Sequence, residues 1–122
     1  MTDIEQTVEG YFDMWNEADP ARRRELIERT WAPVANYVDP MFSADGYDEL
    51  DAMVAGVHQQ FPGHRFRLVG AVDAHHNMVR WGWELATPDG GGAIASGVDF
   101  GVLAADGRLG EVTGFIEAVS AT

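Results

Sequence analysis

Phe61-Pro62-Gly63-His64-Arg65-Phe66 is the stretch at which this chain changes its period. Before it, apolar residues recur at helical spacing in three segments: Ile4, Val8, Tyr11, Phe12 and Trp15; Leu26 and Ile27 with Thr30; then Leu50, Met53, Val54, Val57 and Phe61. Pro62-Gly63 stops the third of these, because proline cannot continue the hydrogen-bond ladder and glycine accepts the turn that follows. Beyond Gly63 the apolar residues alternate with a period of two and never return to helical spacing. Helices first and a meander of long strands afterwards predict one α+β domain over residues 1–122, without linker, repeat or low-complexity segment.

Working outward from that break, the first helix is expected at about residues 3 to 17, capped by Thr2 or Asp3 with Glu5 or Gln6 three residues on. Asp19-Pro20 supplies a second N-cap with proline at the first helical position, and that helix should end near Thr30 or Trp31. Val34 to Val38 reads as a strand, and Pro40 forces Asp39 to be extended, so Tyr37 and Asp39 share a face. Strands are expected at 64–75, 78–86, 93–104 and 109–118, with Val79, Trp81, Trp83 and Leu85 on one face of the second. Asn77, Pro88-Asp89-Gly90-Gly91-Gly92 and Asp106-Gly107 mark the connections.

Composition removes several classes of function. The 20 acidic residues against 8 basic ones give a net charge of −12, which repels phosphate backbones and anionic lipid, so neither nucleic acid nor membrane is an expected partner. All the basic residues are Arg, and Cys is absent, which excludes Schiff-base lysines, thiol nucleophiles, cysteine zinc sites and disulfides. Arg22-Arg23-Arg24 stands beside Glu25 and Glu28 at helical pairing distance, a solvated charged face rather than a ligand site. The N-terminal Thr2-Asp3-Ile4-Glu5-Gln6 has no basic or apolar leader pattern, and no run is long enough to span a bilayer, so a soluble cytoplasmic protein is expected. Gly90-Gly91-Gly92 lacks the Lys-Ser/Thr of a phosphate loop, and Ala95-Ser96-Gly97 is no nucleophile elbow. His58, His64, His75 and His76 form no metal-binding spacing, and adjacent strand residues 75 and 76 should point to opposite faces, so no metal and no cofactor is expected.

Three polar residues remain that a compact fold can bring together. Asp99, in Gly97-Val98-Asp99-Phe100, is mid-strand among apolar neighbours, where an unpaired carboxylate is costly and a protonated or hydrogen-bonded carboxyl is expected. Tyr11 lies on the apolar face of the first helix with a hydroxyl able to reach inward, and Asp39 ends the first strand. A carboxylate facing a phenol and a second carboxyl in an apolar setting is suited to proton transfer. Each also has a purely structural account: Tyr11 as a core tyrosine with a satisfied hydroxyl, Asp39 as a residue that bonds the backbone around Pro40.

The order of these pieces resembles the SnoaL-like branch of the nuclear transport factor 2 (NTF2-like) superfamily. The matching residues are Tyr11-Phe12-x-x-Trp15-Asn16-x-x-Asp19, Trp31-Ala32-Pro33 leading to Tyr37-Val38-Asp39-Pro40, Phe61-Pro62-Gly63-His64-x-Phe66, Arg80-Trp81-x-Trp83-Glu84-Leu85, and Gly97-Val98-Asp99 followed by Asp106-Gly107-Arg108-Leu109 and Gly114-Phe115. The resemblance implies a cone of three helices on a strongly curved antiparallel sheet (cystatin-like) around a deep apolar pocket, commonly dimeric. By resemblance to ketosteroid isomerase within that superfamily, Asp39 would be a general base, with Tyr11 and a protonated Asp99 as donors to an enolate oxygen. Trp31, Tyr37, Met53, Val57, Trp81 and Trp83 would line the pocket and are bulky enough to take up room that a steroid needs.

Three readings stay open at this point. One is a cofactor-free isomerase or polyketide-cyclase-like enzyme acting on a small apolar carbonyl compound, since both chemistries begin with an enolate. Another is a non-catalytic pocket for a hydrophobic ligand. The last is a structural domain plugged by its own tryptophans, whose outer sheet face, including Arg80 and Glu84, would form a homodimer.

Overall fold

The computed structural model describes residues 2–120. Its elements are α1 (Asp3–Asn16), α2 (Pro20–Thr30), β1 (Trp31–Val38), β2 (Ser43–Asp45), α3 (Gly46–Gln60), β3 (Arg65–His75), β4 (Met78–Ala86), β5 (Ala93–Leu103) and β6 (Leu109–Val119). The α+β order is as expected from the change of period. Thr2 and Glu5 close a reciprocal capping box on α1, and the Asp19 carboxylate accepts from the Arg22 N–H ahead of Pro20 on α2. Two boundaries differ from the sequence-based expectation. β1 begins at Trp31, ahead of Val34, because Trp31 pairs with Leu109 across an irregularity that runs to Asn36. β2, only three residues long, pairs with the end of β1 and is too short to show a period.

The six strands form one sheet in the order β2-β1-β6-β5-β4-β3, antiparallel except where β1 runs parallel to β6. Its curvature has local causes. Gly70, at a φ of 75°, lies where the β3–β4 register slips, and opposite it a Cβ on Gly82 would stand 2.8 Å from the Val69 carbonyl oxygen. The helices cover the concave face, and their apolar stripes meet Trp31, Val79, Trp81, Leu109 and Val112 in one core. The C-terminal end of α1 is tied down twice. The Asn16 amide donates to the Phe66 carbonyl and accepts from the Phe66 N–H, both at 2.8 Å, as a strand would, and the His58 ring lies 2.6 Å from the Trp15 carbonyl.

The arginine triplet divides. Arg22 and Arg24 pair with Glu25 and Glu28 on the surface as expected, and Arg24 also reaches Asp48. Arg23 is instead 4% exposed: its Nε meets Asp51 at 2.5 Å and a terminal nitrogen donates to the Glu17 carbonyl, so it fastens α2 to α3 and to the α1–α2 loop. No helix among the described residues is long and apolar enough to cross a membrane.

Candidate active site

The inner face of β5 carries one polar side chain. Gly97, Asp99 and Gly101 point inward in turn, and the facing strand β4 places Trp83 against Gly97 and Trp81 against Asp99. Both glycines are needed for room. A Cβ on Gly97 would stand 2.6 Å from the Trp83 ring, and one on Gly101 would stand 2.9 Å from Val79 and 3.2 Å from the Trp81 ring. Asp99 is thereby set between two indoles. From α1, Tyr11 packs edge-on against Trp81 with ring centroids 4.9 Å apart, and its hydroxyl donates to Asp99 Oδ2 at 2.8 Å.

A second phenol–carboxylate pair faces the first. Period two along β1 sets Tyr37 and Asp39 on one side as expected, and the Tyr37 hydroxyl donates to Asp39 Oδ2 at 2.5 Å. Asp39 Oδ1 accepts from the backbone N–H groups of Met41 and Phe42 at 2.7 and 2.8 Å, closing the β1–β2 turn around Pro40. The two pairs meet at Gly114 of β6. The point where a Cβ of Gly114 would stand is 2.8 Å from Asp99 Oδ1, 3.2 Å from Asp39 Cβ and 3.4 Å from the Tyr37 hydroxyl.

Burial decides the electrostatics. Asp99 is 4% exposed, and desolvation pushes its carboxyl up from 3.8 to about 7; the Tyr11 hydroxyl opposes the rise, and the negative charge of Asp39 adds to it. Tyr11 is held well above an ordinary phenol, by burial first and then by the charge of Asp99. Tyr37 is raised for the same first reason, with Asp99 and then Asp39 as the charges. Both phenols therefore stay protonated donors across the physiological range.

A pH dependence of stability follows. With its folded value near 7 and an ordinary value near 3.8, Asp99 binds its proton more tightly in the folded chain than in the unfolded one. Its contribution is complete below about pH 4 and is lost as pH rises to about 7. Asp99→Asn should remove that decline, on the order of 4 kcal/mol, in urea unfolding compared between pH 4 and 8. Equal pH slopes in the two proteins would contradict the burial argument.

These groups form one wall of a cavity of about 350 Å³. Apart from Ser120, the rest is apolar: Phe12 and Trp15 from α1, Val57 from α3, Phe61 after it, Phe66 from β3, Met41 and Phe42 from the β1–β2 turn, and Leu85, Ile94 and Ile116 from the sheet. Of the expected site residues, Tyr11, Asp39 and Asp99 lie together on the polar wall, and Tyr37, Val57 and Trp83 also face the space. Trp31, Met53 and Trp81 do not. Trp31 is fully buried with its indole N–H on Met14 Sδ at 3.2 Å, Trp81 is sealed beneath Tyr11, and Met53 packs into the core from α3. Of the tryptophans expected to fill the pocket, Trp31 and Trp81 therefore lie in the core behind its wall and Trp83 borders the space, which stays open.

Phe12, Trp15, Phe61 and Phe66 were not anticipated as lining. The signal for two of them was present in Phe61-Pro62-Gly63-His64-Arg65-Phe66, since a break between helix and strand puts its flanking aromatics at the cavity's edge. His75 and His76 are both exposed at the β3–β4 turn, away from the cavity. The expectation that they point apart is corrected: His76 adopts a φ of 54°, and the two Nδ1 atoms are 3.1 Å apart. Among the described residues no three or more His, Cys, Asp or Glu are gathered as metal ligands would be.

With this geometry in hand, likeness to known proteins is informative. The profile of the SnoaL-like domain matches residues 8–112. A candidate isomerase of the SnoaL-like family from Agrobacterium tumefaciens is 39% identical, aligns over 97% of this chain and 100% of its own, and superposes with a TM-score of 0.91. At the level of fold alone, a candidate SnoaL-like polyketide cyclase from a Jannaschia species is 20% identical over 97% of this chain and 94% of its own, with a TM-score of 0.68. A protein of unknown function with a cystatin-like fold from Methylobium petroleophilum is 18% identical over 98% and 78%, with a TM-score of 0.75. No curated protein matches the sequence. The chain belongs to the SnoaL-like family, in the NTF2-like, cystatin-like fold class.

Proposed function

We propose that this protein is a cofactor-free enzyme of the isomerase or cyclase type, moving a proton at carbon next to the carbonyl of a small apolar compound. The observation that carries the reading is the convergence of Asp39, Asp99 and two phenols on one wall of a largely apolar cavity. Asp39 is the base. Three of the roughly four acceptor positions of its carboxylate are occupied, by Tyr37 and the Met41 and Phe42 N–H groups, which leaves one for a substrate proton. As the C–H bond breaks, its electron pair moves onto the carbonyl oxygen, where Tyr11 and a protonated Asp99 supply hydrogen bonds. Donors of this kind contribute about 3–4 kcal/mol each in a dry site. The enolate then takes the proton back from Asp39 at another carbon, or its carbon attacks a second carbonyl and closes a ring, the alkoxide so formed taking that proton from Asp39 instead.

Deuterium incorporation from heavy water into a panel of neutral cyclic ketones, followed by NMR, reads the step common to both outcomes. The rate should fall as pH rises through about 7, where Asp99 gives up its proton. A flat profile across that range would remove Asp99 from the donor role. A non-catalytic binding role is favoured by one observation, the use of Asp39 Oδ1 to close the β1–β2 turn, and it predicts binding with no exchange.

The homodimer has its own support. Phe100 and Phe115 stand edge-on on the outer sheet face, 5.9 Å apart and 38% and 51% exposed, with the Arg67–Glu84 and Arg80–Asp73 pairs on the neighbouring strands. A second copy packed on this face would cover them. Phe115→Glu should convert a dimer to a monomer in sedimentation velocity, and a wild-type monomer at high concentration would rule the interface out.

A further inference from the structure

Two buried side-chain polar atoms lack a hydrogen-bond partner among the described residues, Nε1 of Trp81 and Nε1 of Trp83. An indole N–H left in this state carries its desolvation penalty with no hydrogen bond to offset it. Trp83 is the one that borders the cavity, yet its nitrogen is closed off by the protein and does not face the open space. Its ring cannot drift. Gly97 receives one side, where Cε2, the atom bonded to Nε1, would be 2.8 Å from an added Cβ, and Phe66 packs edge-on at 5.8 Å. The N–H edge therefore lies over β5, on the same face as Asp99 two residues on. The groups around Asp99 are Tyr11 from α1, Tyr37 and Asp39 from β1 and its end, Trp81 and Trp83 from β4, and the bare Gly114 of β6. Only one of these, the Tyr11 hydroxyl, donates to the Asp99 carboxyl with full hydrogen-bond geometry.

We infer that the Trp83 indole N–H is the reserve donor of Asp99, engaged when the Tyr11 hydroxyl turns from Asp99 to a ligand oxygen. The inference rests on the proposed function for the ligand oxygen, while the donor exchange itself is a property of the wall. Tyr11 has one proton to give, and spending it on a ligand leaves a buried carboxyl without its donor. Trp83 takes over that role without entering the cavity, which makes it a positioning residue. The Trp83 N–H makes no hydrogen bond of full geometry here, yet the indole is close enough to Asp99 to hold its raised carboxyl down, more weakly than Tyr11 does, which agrees with this placement.

Two NMR measurements on the full chain test it without any ligand or turnover. Added to Tyr11→Phe, the substitution Trp83→Phe, which keeps an aromatic ring over Gly97, should move the Asp99 carboxyl titration up by roughly one pH unit relative to Tyr11→Phe alone, because the anion then loses its reserve donor. In Tyr11→Phe, which imitates the departure of the hydroxyl, the Trp83 indole proton should move downfield as pH rises through the Asp99 titration. An unmoved Asp99 midpoint in the first comparison, or an indole proton indifferent to pH in the second measurement, overturns the inference. Both outcomes are read independently of deuterium exchange. A failure of the donor exchange with exchange chemistry intact, or the reverse, separates this inference from the proposed function.

Discussion

Asp39→Asn should abolish deuterium exchange into any ketone that the wild-type protein turns over, by about 10²–10⁴-fold, and leave the fold in place. The asparagine oxygen can still accept from the Met41 and Phe42 N–H groups, so the β1–β2 turn is kept. Its amide nitrogen faces the Tyr37 hydroxyl, which then accepts instead of donating. What is lost is an acceptor for a carbon-bound proton. Urea midpoints within experimental error of wild type, together with the rate loss, separate base catalysis from a structural role. An unchanged rate removes Asp39 from the chemistry.

Gly97→Ala should give the largest loss of stability. Its Cβ would stand 2.0 Å from the Phe115 carbonyl oxygen and 2.6 Å from the Trp83 ring, so backbone on one side and a packed indole on the other must move together. Overpacking of this severity lies at or beyond the upper end of the usual range, about 3 kcal/mol or more. Gly114→Ala makes the informative contrast. Its nearest neighbour is a side-chain oxygen, Asp99 Oδ1 at 2.8 Å, and the methyl would occupy the space between the two carboxyl–phenol pairs. That variant should remain folded while losing ligand affinity and exchange. Thermal unfolding and ligand titration of the pair should rank them in opposite orders, and a Gly97→Ala protein as stable as wild type would show that the Trp83 ring is not held as described.

The fold was legible where local chemistry acts alone. Thr2 with Glu5, and Asp19 before Pro20, are caps whose partners lie within four residues, and they formed as expected. β2 was not legible, because three residues of strand depend on what they pair with, here the end of β1. The site divides on the same line. Tyr37 and Asp39 share a face by the strand period, and their hydrogen bond follows from it. Periodicity shows that a residue points inward but not whether it meets protein or open space. Trp31, Met53 and Trp81 point inward and meet protein; Trp83, two residues from Trp81 on the same face, borders the cavity. The difference is made by sheet curvature at Gly70 and Gly82 and by the reach of α1 across β4, both long-range properties. Arg23 illustrates the same limit, since its burial depends on Asp51, which the helix α3 brings from elsewhere in the chain.

The most direct test of the central claim is deuterium incorporation at the carbon beside the carbonyl, using a neutral cyclic ketone whose saturable binding in the cavity has first been established by titration. The arrangement of Asp39, Tyr11 and Asp99 predicts saturable exchange at pH 6 to 7 that disappears in Asp39→Asn with binding retained. Saturable binding by the wild-type protein with exchange no faster than in buffer would contradict it and leave a binding domain.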